Sequence, residues 1–162
     1  MKIYLSKSSI FVKVATIGTL ILLAMVALTL ITIDKSYGLV GGITLIVLIL
    51  GTLLYFYSNS LNKIIIEENA IILKKNIGQI IIPKSDILEV NRLSFSNLTM
   101  TFGSKGVFGF IGNTMDGSAS FVKDRKKMLR ITTQNKKYIL SSENADELVS
   151  EIKTCYSYTK RL

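Results

Sequence analysis

The sequence predicts a membrane protein with a two-helix transmembrane hairpin, then an all-β barrel or sandwich of about seven strands capped by a C-terminal α-helix. Three observations predict it. Residues 14–33 and 38–57 are two 20-residue runs without a charged side chain. Residues 63–141 divide into short runs rich in β-branched side chains, separated by Asn, Gly and Pro. From Ala145 onward the apolar positions recur at i, i+3, i+4 and i+7, the period of one helix face.

Residues 1–13 form a short N-terminal segment carrying Lys2, Lys7 and Lys13. Each charge-free run is long enough, at about 1.5 Å per helical residue, to span a hydrocarbon core of roughly 30 Å. Only residues 34–37 join them, so they make a tight antiparallel hairpin over 14–57. A cleaved signal peptide is the competing reading of the first run. Its apolar core exceeds the roughly 7–15 residues of a signal sequence, and no small-x-small cleavage site follows. Lysines precede the first span and follow the second at Lys63, Lys74 and Lys75, against Lys35 alone in the loop. The positive-inside rule then puts both termini in the cytoplasm of a multi-pass plasma (inner) membrane protein. Tyr37 at one boundary and Tyr55, Phe56 and Tyr57 at the other suit an aromatic belt. Gly38 and Gly42 form a G-x-x-x-G that lets membrane helices approach closely, or simply begin a helix beside a short loop. Neither span contains a charged residue, so an ion path through the hairpin is not expected.

Residues 58–62, SNSLN, read as a polar link that holds the following domain within about 18 Å of the bilayer. The domain, 63–156, opens with three β runs at 63–68, 70–75 and 78–82, and turn signals at Asn69 and at 76–78. Pro83 closes the third. Further strands are expected at 87–93, 97–102, 120–122, 128–133 and 137–141. In the last helix Asn144 and Glu147 form a capping pair, and Asp146 and Glu147 occupy the first turn, where the dipole favours acids. Residues 157–162 are a tail.

Three motifs carry a resemblance. The stretches GVFGFIGN at 106–113, DRKKMLRI at 124–131 and KYILSSENADELVSEI at 137–152 resemble bacterial pleckstrin-homology (PH) domain proteins over about residues 63–154. Ser142 and Ala145 stand where members of that family often carry prolines. The resemblance implies a PH-like binding domain, and an N-terminal transmembrane hairpin is a familiar companion to it. Phosphoinositide-binding PH domains carry their basic cluster on the first hairpin. Here that turn, 67–70, reads EENA, so the inositol-phosphate site is not carried over.

The chemistry-bearing side chains are few. The chain has no histidine and one cysteine, Cys155, expected on the apolar side of the last helix where burial makes a thiol inert. No triad, metal spacing or convergent carboxylate pair is visible, so neither catalysis nor a cofactor is expected. Asp116 reads as part of an Asp-Gly turn without a partner.

The glycines Gly103, Gly106, Gly109 and Gly112 alternate with Phe102, Phe108 and Phe110. A P-loop needs a lysine after its last glycine and a dinucleotide fingerprint a different spacing. The KH-type G-x-x-G sits between helices, whereas these flanks are strand-like, and no nucleic acid is expected as a partner. The glycines suit bulges and bends in a curved sheet, or a loop that contacts a partner through Phe108 and Phe110. The net charge of +9 has a local maximum at Lys123, Arg125, Lys126, Lys127 and Arg130. That turn is either a solvated polar tip or a contact for anionic lipid at about 1 kcal/mol per cation. The expected function is a membrane-anchored binding or assembly module, with a protein partner or second copy as ligand, or an anionic-lipid sensor through the basic turn.

Overall fold

The computed structural model describes residues 1–33, 37–95 and 98–159. The hairpin loop at 34–36, Asn97 and the end of the tail lie outside the described residues, as do the side chains of Tyr37 and Cys155.

The N-terminal segment has more structure than its sequence announces. Strand β1 (Lys2–Leu5) pairs antiparallel with β2 (Leu61–Ile66), Ile3 opposite Ile65. Four residues cannot hold a strand by propensity; the ladder offered by β2 supplies the partner groups. Helix α1 (Ile10–Ile33) then starts before the charge-free run. Ser9 caps it, its hydroxyl accepting from Val12 N at 3.4 Å and its carbonyl from Lys13 N at 3.1 Å. Lys13 is exposed on the first turns, which is why a charge there does not delay the helix.

Helix α2 (Tyr37–Asn59) packs against α1. The windows Ile10–Leu30 and Val40–Asn59 are long and apolar enough to cross a membrane, with mean hydropathies of 2.3 and 2.1. Their hydroxyls turn inward on their own helices. Thr16, Thr29, Thr44, Thr52 and Ser58 each donate to the carbonyl four residues earlier, which satisfies them without water.

No free link separates helix from sheet. α2 ends at Asn59 and β2 begins at Leu61, leaving Ser60, which is buried. The turn after β3 (Ala70–Lys75) clasps this junction, with Asn76 N donating to Ser60 O at 2.9 Å and Ile77 N to Ser58 O at 3.1 Å.

The β domain consists of two separate sheets rather than the closed barrel that the sequence allowed. β1, β2, β3 and β4 (Gln79–Pro83) form a four-stranded antiparallel sheet in that order. β5 (Ile87–Leu93), β6 (Met100–Lys105), β7 (Phe110–Thr114), β8 (Ala119–Val122), β9 (Met128–Thr133) and β10 (Lys137–Ser141) form a second, in the order β5-β9-β10-β8-β7-β6. All its pairs are antiparallel except β10 with β8. Pro83, which lacks an N–H, and a 3-10 turn at Lys84–Asp86 end the first sheet before β5 begins. The strand count also exceeds seven, because the N-terminal segment supplies β1 and the glycine stretch supplies β7.

Two cores result. Ile64, Ile66, Ile71 and Leu73 from the first sheet meet Leu129, Ile131 and Leu140 from the second, closed by Leu148 and Ile152 of α3 (Ala145–Thr159). Asp146 on α3 bridges Arg92 Nε of β5 at 2.7 Å. At the helix start Asn144 Nδ2 donates to Glu147 Oε2 at 3.2 Å, and Asn144 O accepts from Leu148 N at 2.9 Å. The second core lies on the other face of the six-stranded sheet, where Met128 and Ile139 alternate with Leu129 and Leu140. It gathers Phe110, Val122, Leu98 and Met100 around Val12 of α1, which is 1% exposed. The first turns of α1 are therefore part of the β domain's packing.

Candidate functional site

The glycine-rich segment folds as the β6–β7 hairpin, and its residues have different tasks. Gly103 and Gly112 face each other across the ladder. A Cβ on Gly103 would fall 2.7 Å from Gly112 Cα and closer still to the Ile111 carbonyl oxygen, so the two strands approach at a distance only a glycine pair permits. Phe102, beside Gly103 and opposite Asn113, is 68% exposed.

The hairpin tip grips both helices. Gly106 lies against α1, where a Cβ would meet the Phe11 ring at 3.2 Å and Ala15 Cβ at 3.4 Å. Gly109 O accepts from Gly106 N at 2.9 Å and closes the tip. Phe108 has φ 58, the only non-glycine with a positive φ among the described residues, a conformation that costs on the order of 1–2 kcal/mol. Three contacts hold it there. Its N–H donates to Thr16 Oγ1 of α1 at 2.9 Å, its carbonyl accepts from Ser60 Oγ at 3.0 Å, and its ring stands edge-on to Tyr57 of α2 at 5.7 Å. Phe110, buried, stacks on Phe11 at 6.2 Å. Gly106, Phe108 and Phe110 thus meet at the start of α1 and the end of α2, and Lys105 is exposed beside them.

The five cations of the basic segment do not form one patch. Lys123 is half-buried. Its N–H donates to Ser141 Oγ at 2.8 Å and its carbonyl accepts from Ser9 N at 3.0 Å, and burial pushes its ammonium pKa down. The Arg125 guanidinium lies 4.2 Å over the Phe95 ring and 5.2 Å from that of Phe110, and Nη2 donates to Phe95 O at 3.0 Å. Arg130 pairs with Asp116 Oδ2 at 2.7 Å. Lys126 and Lys127 stand exposed at the tip, where Asp124 Oδ1 accepts from Lys126 N at 2.9 Å.

Asp116 therefore has partners that its sequence position hid. Besides Arg130, Thr114 Oγ1 donates to its carboxylate, and so does Ser118 N at 3.3 Å. The Thr114 hydroxyl above all holds the Asp116 pKa at about 2 against a usual 3.8; burial opposes it, and Ser118 and then Arg130 add to the lowering.

A further feature was not read from the sequence. Ile3, Ile65, Ile72 and Ile81 stand in register across all four strands of the first sheet. They alternate with the core residues Tyr4, Ile64, Ile71, Leu73 and Ile82, so this row lies on the sheet's outer face. Its ends are open, Ile3 at 51% and Ile81 at 57% exposure. The signal was the lack of alternation: III at 64–66, II at 71–72 and III at 80–82 mark strands apolar on both faces, unlike an antiparallel sheet with one solvated face.

Among the described residues no group of three or more His, Cys, Asp or Glu side chains is arranged to hold a metal ion. The family model for a bacterial PH domain matches residues 62–155. No curated protein and no solved structure matches the chain.

Proposed function

The chain belongs to the bacterial PH domain family, and on that premise we propose that it is a membrane-anchored, non-catalytic assembly module. It self-associates through the outer face of its four-stranded sheet. The carrying observation is the isoleucine row Ile3–Ile65–Ile72–Ile81, an apolar stripe four strands wide in which Ile65 is buried, Ile72 is half-buried and the two ends, Ile3 and Ile81, are exposed.

Anchoring is supported by the helices themselves. Only 6% of each apolar window is buried within the protein, and helices apolar all round need a non-aqueous surrounding. The start of α1 and the end of α2 contact one hairpin, so both lie on one side. The lysines flanking them favour the cytoplasmic side of the plasma membrane. Two copies held in one bilayer share an orientation and a raised local concentration. A two-fold axis along the membrane normal lets the same stripe meet itself, an isologous contact.

Cysteine cross-linking in native membranes tests this. Ile81→Cys in a Cys155→Ser background should give a covalent dimer, and adding Ile72→Lys should abolish it. Monomer alone, or adducts with other proteins only, would refute self-association.

A further inference from the structure

We propose that the cavity between the first turn of α1, Phe95 and the 124–126 turn binds the phosphate-bearing headgroup of an anionic phospholipid. It rests on α1 entering a bilayer but not on self-association. The cavity has a volume of about 530 Å³ and is lined by Ser9, Ile10, Phe11, Phe95, Arg125 and Lys126 among others, a size suited to a small ligand group.

Three features converge there. The apolar window of α1 begins at Ile10 and runs 21 residues, about 31 Å of helix. The cavity therefore lies at the level where hydrocarbon gives way to headgroups. Its rim carries three exposed apolar side chains, Ile10 at 80%, Phe11 at 61% and Phe95 at 55%, which suit the acyl side of that boundary. Its cations are of two kinds. Arg125 is pre-positioned by two aromatic rings, and its Nε is buried without a hydrogen-bond partner. Lys126 is exposed, and its ammonium makes no ion pair among the described residues. A planar guanidinium beside a mobile ammonium matches a phosphate diester.

The acid in the lining, Asp124, accepts from the Lys126 backbone N–H and leaves the two cations in excess. A lipid rather than a soluble anion is the occupant because the rim is apolar and two of its exposed side chains, Ile10 and Phe11, belong to α1 itself.

The test uses the full chain in nanodiscs of phosphatidylcholine with and without phosphatidylglycerol, with co-retained lipid read by native mass spectrometry. Phosphatidylglycerol should be enriched over phosphatidylcholine. Lys126→Gln should lower that enrichment about fivefold and Arg125→Gln with Lys126→Gln roughly thirtyfold. Arg125→Lys, which keeps the charge but not the stacked planar fork, should retain only part of it, and Lys137→Gln at the start of β10, the opposite end of the strand pair from the 124–126 turn, should change nothing. Equal retention of the two lipids, enrichment untouched by Lys126→Gln, or full competition by inorganic phosphate would overturn the site while leaving anchoring intact. A chain that fails to enter nanodiscs would overturn both.

Discussion

The two sheets solve one problem in opposite ways. Each has an apolar outer face. On the six-stranded sheet that face is covered by the chain's own helix: Val12 is sealed among Phe110, Val122, Met128 and Ile139. On the four-stranded sheet the isoleucine row is left with open ends at Ile3 and Ile81. The first arrangement fixes the domain to helix α1. The second leaves apolar surface whose burial is worth roughly 25 cal/mol per Å² to whatever covers it. One face is structural and the other is available.

The sharpest way to break the covered side is at its hinge pair. Gly103→Ala forces a Cβ into the Gly112 backbone of β7, where nothing flexible can yield. It should cost on the order of 3 kcal/mol or more, read as a collapse of the thermal transition of the detergent-solubilised chain. A near-native transition would mean that β6 and β7 do not approach so closely. The comparison itself is sharpened by a pair of truncations. Val12→Ala should cost about 2 kcal/mol through the cavity it leaves. Ile81→Ala should change the stability of the monomer by less than about 0.5 kcal/mol. Equal costs in denaturant titrations would erase the distinction between the faces.

A pH-dependent effect, smaller than that of Val12→Ala, lies in the β7–β8 turn. The Asp116 pKa is depressed, so its contribution is fully present above the usual 3.8 and is lost as pH falls toward about 2. Its side chain is 39% exposed, and solvent screening reduces the contribution to about 1 kcal/mol. Asp116→Asn should lower stability by that amount at neutral pH and flatten the acid limb between about pH 4 and pH 2. An unchanged acid limb would show that the carboxylate is not held by Thr114 and Arg130.

Much of this plan is legible in the residues. Two charge-free runs declare two helices because an apolar residue at every position suits only a helix without an aqueous side. Ala145, Leu148, Val149 and Ile152 declare α3 by their period, and all four are buried. The glycine motif, with its neighbours at 124–131 and 137–152, points to the PH-like fold. The candidate sites were less legible. The basic segment reads as five adjacent cations, yet Arg125 and Arg130 are engaged by Phe95 and Asp116, partners 30 and 14 positions away. The Gly106–Phe110 tip reads either as a bend in a curved sheet or as a loop that contacts a partner, and what Thr16, Ser60 and Tyr57 do there was not legible.

Composition and periodicity alone settle which segments are helical and which are extended, because those properties depend on neighbours a few positions apart. Strand β1, the open pair of sheets, the grip of Phe108 on both helices and the alignment of Ile3, Ile65, Ile72 and Ile81 belong to the tertiary structure. Each needs groups many residues apart in the chain to arrive at one place in one register, and a linear pattern holds no record of register.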